Sequence, residues 1–296
     1  MDKAYLTKIS ILFTFWAYNS FAQELSDTLK GPYLGQEPPG KTAKPFALGI
    51  VNTEHWGDSG RFSPDMNEFH VNRWKHSKDA AEPESVTFRR VGDHWVKTVL
   101  PPKTKAPYQS PDGKKQYFGK QFKQLTNEGW SELQSLGPAF EDIRVMSLSE
   151  STKGMLVIDE VGSAKGDGII RYSKLINGKW SPPVAFGKAI NTGTWNAHPF
   201  IAPDESYIMW NGRRDNGFGS SDIYISFQLQ DGSWGEAINL GDKVNTEAEE
   251  GGPRVTPDGK FLMFNRMVPK KDNPQASQSD LYWIDASFIE SLRNKQ

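Results

Sequence analysis

The stretch from Asn177 to Asp258 is one pattern written twice, and that repetition limits what the whole chain can fold into. Asn177-Gly-Lys-Trp180-Ser opens the first copy and Asp231-Gly-Ser-Trp234-Gly opens the second. Trp180 and Trp234 stand 54 residues apart, and the same step relates Gly187 to Gly241, Asn191-Thr192 to Asn245-Thr246, and Pro203-Asp204 to Pro257-Asp258. Landmarks that share one register mark a structural repeat, and a repeat of this length is a supersecondary unit that must stack on its neighbours. The clearest copy reads as four strands. His198 to Ile201 is a short apolar run, Ala202-Pro-Asp-Glu205 is a turn, and Ser206 to Trp210 returns. After a Gly- and Arg-rich loop, Asp222 to Ser226 is the third strand, and Asp231-Gly232 is the hairpin before Trp234. Four antiparallel strands per repeat predict one propeller blade.

The same template finds its other copies. Blade one turns at Ser63-Pro-Asp-Met66 and carries Trp95; blade two turns at Ser110-Pro-Asp-Gly113 and carries Trp130. Blade three is divergent, with Ser149-Glu-Ser-Thr152 in place of the Pro-Asp turn. Blade five turns at Thr256-Pro-Asp-Gly259 and runs to Asp280-Leu-Tyr-Trp-Ile284, with no Trp-led fourth strand after it. Phe46 to Thr53, by contrast, matches Phe186 to Thr192 and Ile238 to Thr246, so it reads as a fourth strand with no first three. The expectation is an all-β, five-bladed β-propeller in which this N-terminal strand closes the last blade, leaving no free sheet edge.

Residues 1–22 read differently. Lys3 and Lys8 precede an apolar run from Ile9, and Ser20-Phe21-Ala22 is a small-x-small cleavage site. This pattern predicts a secretory signal peptide, hence a secreted or periplasmic protein with no membrane contact after cleavage. Residues 23–44 read as an extended lead-in and 45–296 as a single propeller domain. There is no cysteine, so disulfides, thiol catalysis and thiolate metal sites are excluded. Lys and Arg number 35 against 36 Asp and Glu, a balance that gives no basic field for nucleic acid.

The Ser63-Pro-Asp, Ser110-Pro-Asp-Gly, Ala202-Pro-Asp and Thr256-Pro-Asp-Gly turns, with Ser221-Asp-Ile-Tyr-Ile-Ser226, resemble the WD40-like propeller repeats of the TolB kind over roughly Pro32 to Ile289. These motifs are turns and core strands, which specify fold and leave function to the loops. Propeller topology puts the Pro-Asp turns on one face, and the inter-blade links with the loops after second strands on the other. The channel mouth on that second face is the expected site. It gathers three histidines, His55, His76 and His198, with Trp74, Arg144, Trp195 and Arg213; Arg61, Tyr108 and Arg254 lie on first strands.

Such a mouth suits an acidic oligosaccharide: Arg forks bind carboxylates and aromatic faces stack on sugars. Each part also has a structural reading. Arg73, Arg213 and Arg266 follow second strands, where a neighbouring acid would pair with them, and His198 would serve equally as a hydrogen-bonded inner-strand residue. Glu249-Glu250 offer oxygens for a divalent cation or a partner for Arg254. No nucleophile elbow, zinc helix, P-loop or dinucleotide fingerprint is present, and no cofactor is indicated. Hydrolysis needs two carboxyls at a set separation, and Asp58, Asp142, Glu249 and Glu250 keep it open. The chain also resembles secreted polysaccharide-utilisation propellers of marine Bacteroidota, of the ulvan oligosaccharide dehydratase type. That resemblance implies β-elimination on a uronate-terminated oligosaccharide, with water as the leaving group in a dehydratase or a sugar in a polysaccharide lyase. His55 and His198 would transfer protons, with Tyr108 as base or acid partner, and Arg61, Arg73, Arg213 and Arg254 would bind carboxylate. The alternative from another class is a non-catalytic TolB-like propeller that binds a glycan or protein at the same mouth.

Overall fold

The structure is a computed structural model that describes residues 29–74, 83–104, 106–162, 168–270 and 273–294. The expected signal peptide and His76 lie outside the described residues. Five separate antiparallel sheets follow one another along the chain, one per blade. In blade one the strands are Trp56–Phe62, Glu68–Trp74, Glu84–Val91 and His94–Val99. Blade two is the smallest, starting from Tyr108–Gln109 and Lys115–Phe118, and blade three starts from Val145–Glu150 and Met155–Glu160. Blade four has Thr194–Ile201, Tyr207–Arg213, Asp222–Phe227 and Ile238–Asn239. Blade five has Glu249–Val255, Phe261–Lys270 and Asn273–Asp285, and its fourth strand is Lys44–Pro45 from the N-terminal end.

The ring therefore closes as the orphan segment predicted, with one shift. The paired residues are Lys44 and Pro45, against Trp283 and Tyr282, rather than Phe46 to Thr53. After Phe46, whose N–H donates to the Leu281 carbonyl, the chain folds back into a tight turn, Val51 N–H to Ala47 O. That turn delivers Asn52 to Leu281, where its amide accepts from the Leu281 N–H and donates to the Leu281 carbonyl, both at 2.8 Å. Asn191 makes the same pair of bonds to Ile170 and Asn245 to Ile223. The Asn-Thr of the repeat is thus a staple. A side-chain amide completes the ladder of a third strand where the fourth strand leaves it, so no buried backbone group is stranded.

The turn chemistry is equally local. Ser63 donates to Asp65 and accepts the Glu68 N–H, and Ser110 with Asp112 and Thr256 with Asp258 repeat the arrangement. In blade three Ser151 still accepts the Met155 N–H. Thr152, which replaces the turn proline, spends both its N–H and its hydroxyl on the Pro203 carbonyl of the next turn.

Four apolar clusters fill the seams between blades. The largest holds Phe46, Phe62, Phe69, Phe88, Trp95 and Trp283, joining blades five and one through the closing segment. The lead-in is part of this core rather than a simple extended arm. Tyr33 and Leu34 are buried, and the Tyr33 hydroxyl donates to Asp258 at 2.5 Å. None of the four clusters joins blade one to blade two. That seam is instead crossed by the Arg61 guanidinium, which donates to the carbonyls of Ala106 and Pro107.

Candidate functional site

First strands line the central channel, and four of the five are broken near the middle, blade two's Tyr108–Gln109 being too short to show a slip. Their register slips between Asp58 and Arg61, Val145 and Leu148, Ala197 and Phe200, and Gly251 and Arg254. A bulge re-aims the side chains around it. The residue two places before each turn's first residue then points inward, giving a ring of Arg61, Tyr108, Ser149, Phe200 and Arg254. All five line a chamber of about 320 Å³ on the side of the Pro-Asp turns. A second chamber of about 570 Å³ opens toward the face of the long loops and contains His198, Trp74 and Lys103. Arg61, Tyr108 and Arg254 line both, so they form the waist between them.

His198 has the least ordinary backbone of these residues. Its φ is +50°, a left-handed conformation uncommon outside glycine. One repeat later the same position is Gly252, with φ +61°. Blade four thus carries an imidazole where the geometry favours a residue without Cβ. Such strain concentrates at working sites. The buried carboxylate of Asp159 holds the conformation by accepting the His198 N–H at 2.9 Å, and it also accepts from Met146 and Ser147.

The imidazole is oriented by Asn211. The Asn211 carbonyl oxygen accepts the Gly252 N–H, and that donor identifies which end of the amide faces the bulge. The same oxygen lies 2.8 Å from His198 Nδ1. Nδ1 must therefore carry the proton in the neutral ring, and Nε2 is left with its lone pair, the form a general base requires.

The surroundings are electropositive. Among the described residues no Asp or Glu lines either chamber. His70, paired across the strands with Arg61, is buried, and burial with the Arg61 charge pushes its pKa down to about 4. It is neutral at pH 7. Burial raises the Tyr108 pKa, so this phenol keeps its proton; its oxygen accepts the Glu150 N–H at 3.1 Å. As a proton-transfer group Tyr108 is an acid rather than the base that the sequence also allowed. Glu150 itself is buried behind the wall, ion-paired with Lys115 and accepting from the Tyr117 hydroxyl.

The residues expected at the mouth divide into two groups. His198, Trp74, Tyr108, Arg61 and Arg254 come together in the channel. His55, Arg73, Arg144, Trp195 and Arg213 do not line either chamber. His55 is held near its own link by Thr53 Oγ1, 3.1 Å from its Nδ1. Arg73 is buried and bonded to Glu84 at 2.6 Å, which is its structural reading. Arg144 is exposed. Trp195 and Arg213 form an exposed stack at 5.1 Å, with Glu249 at 3.9 Å from the guanidinium. Glu250 is fully buried against Arg266 at 2.7 Å and accepts from Thr246; this is not the Arg254 pairing or the cation ligand considered above. The Asp58 side chain lies outside what the structure describes. The sequence reading missed Ser149, Phe200 and His70. Counting two residues back from every turn would have found the first two, and the cross-strand position opposite Arg61 the third.

No protein-family model matches this chain, and no curated protein does. Among solved structures it is similar to TolB from Acinetobacter baumannii, with 14% identity and a TM-score of 0.46 over 79% of this chain and 58% of the other. The chain thus spans less than two thirds of that structure's length. It is also similar to the catalytic domain of the Coprinopsis cinerea GH62 α-L-arabinofuranosidase, with 9% identity, a TM-score of 0.45 and coverage of 87% and 96%. The endo-arabinase from Bacteroides thetaiotaomicron is a third, with 12% identity, a TM-score of 0.43 and coverage of 79% and 94%. These are likenesses of propeller architecture.

Proposed function

We propose that the mature chain, exported on its leader, eliminates water from the uronate end of an acidic oligosaccharide bound at the loop-side mouth. The observation that carries this reading is the His198 tautomer set by Asn211 at a strained bulge, beside a waist that holds Arg61 and Arg254 and, among the described residues, no lining carboxylate. Arg61 and Arg254 bind the sugar carboxylate and lower the cost of charge building on the carbon next to it. His198 Nε2 takes the proton from that carbon. The C–H electron pair becomes the new carbon–carbon double bond, and the bond to oxygen on the following carbon breaks. Tyr108 gives its proton to the departing oxygen, which leaves as water. The absence of lining carboxylates among the described residues disfavours the two-carboxylate route to hydrolysis.

The test is His198→Gln, which keeps a polar group of similar reach but cannot act as a base. It retains affinity for a glucuronate-ended oligosaccharide in calorimetry and loses about 100-fold or more in turnover, the usual scale for a general base. Turnover that survives the substitution rejects His198 as the base. A wild-type chain that binds the oligosaccharide and never converts it is a binding propeller.

A further inference from the structure

The turn-side chamber has a different chemistry from the loop-side one, and the sugar reaction leaves it unused. Its rim is set by the turns. Pro64, Pro111, Pro203 and Pro257 all line it, and proline offers no N–H. The fifth turn has Thr152, whose N–H and hydroxyl are both bonded to Pro203 O. The Ser63 and Thr256 hydroxyls are likewise given to Asp65 and Asp258. The wall is Leu148, Phe200, Tyr207, Val255 and Met263. A sugar entering here would find Gln109, Ser147 and Ser149 as the further polar side chains on an otherwise apolar wall, too few to meet all its hydroxyls, an expensive desolvation. At the floor stand Arg61 and Arg254, with neutral His70 beside Arg61 and no Asp or Glu lining the chamber among the described residues.

We propose that this chamber is a separate binding site for a monocarboxylate with an apolar tail. The carboxylate meets the two guanidinium groups from the turn side, and the tail lies against the aromatic and proline wall. A volume of about 320 Å³ is at the small end of ligand sites and suits a medium-chain or single-ring acid. Because Arg61 and Arg254 face both chambers, such an acid and a uronate compete for the same charges. The site requires no turnover, so it stands or falls apart from the elimination reaction.

The experiment is calorimetry on the mature protein, without any sugar, against octanoate, octanol and acetate. Octanoate binds one per chain and about tenfold or more tighter than either control, since it alone has both a charge-assisted hydrogen bond and a tail. Arg254→Gln removes the preference for octanoate over octanol, and Phe200→Glu, which adds a like charge to the wall, removes octanoate binding. Thermal melts report whether each variant is folded; if neither is, the three wild-type ligands decide alone. Octanol binding as tightly as octanoate, acetate binding as tightly as octanoate, or no octanoate binding overturns the proposal.

Discussion

Asn52→Ala probes the seam on which the whole ring depends. The chain closes on itself through non-covalent contacts, and Asn52 bonds both backbone groups of Leu281 across 229 residues of sequence. Both residues are buried, at 6% and 3% exposure, so water does not replace the lost amide. The Leu281 carbonyl keeps the Phe46 N–H, so alanine strands the Leu281 N–H alone, and a buried backbone group left without a partner costs about 1–3 kcal/mol. Against a total of about 5–15 kcal/mol for an ordinary domain, that is a large share. Urea unfolding measures the loss, and hydrogen exchange locates it: the amides of Phe46 and Leu281 lose protection. Asn245→Ala breaks the same two bonds at Ile223, inside blade four, and is expected to cost a similar amount while leaving Phe46 and Leu281 protected. Asn52→Asp keeps the acceptor but sets a second carboxylate oxygen against the buried Leu281 carbonyl, so it costs at least as much as alanine. An Asn52→Ala protein within about 0.5 kcal/mol of wild type, the scatter of inconsequential substitutions, would refute the staple and the closure argued from it.

Three further outcomes follow from the same structure. His70 titrates at about 4 in the fold against 6.5 as a free side chain, so the unfolded chain takes up its proton first. Its contribution to stability is complete above pH 6.5 and is lost as pH falls from there toward 4; His70→Gln flattens that limb of a urea-midpoint profile. Arg266→Ala leaves the fully buried Glu250 carboxylate without its guanidinium and costs about 3–5 kcal/mol in urea unfolding, much of it recovered by Glu250→Leu in the same chain. His198→Gly relaxes the positive φ and leaves the thermal midpoint within a few degrees of wild type, because the lost Asn211 bond offsets the relieved strain of about 1 kcal/mol. The same substitution abolishes elimination, so an unfolded His198→Gly would place the histidine in the core rather than the site.

The blades were legible because their signals are local. Pro-Asp turns, Asp-Gly hairpins and the 54-residue register all depend on neighbours in sequence, and the structure builds them as read. The Asn-Thr landmark pointed to an N-terminal closing segment but put its strand at Phe46 to Thr53, because the pairing at Lys44 and the turn that presents Asn52 depend on contacts with Leu281, far along the chain. The lead-in looked extended because Pro and Gly are frequent in it; its burial comes from Tyr33 meeting Phe62, Phe261 and Trp283, which no local pattern announces. At the site, sorting loops by face found His198, Trp74, Arg61, Tyr108 and Arg254. It failed to separate them from Arg73, whose partner Glu84 sits one strand over, or from His55, whose ring stays beside Thr53. Partner choice across strands decides whether an arginine is a staple or a ligand group, and spacing alone does not encode it.

The measurement that bears most directly on the account mixes the mature wild-type protein with saturated, glucuronate-ended oligosaccharides of ulvan. Ultraviolet absorbance and product mass are followed together. Rising absorbance from an unsaturated uronate is expected, with each product lighter by one water and no shorter in chain length. Shorter saturated products, or no change in either signal, would contradict it.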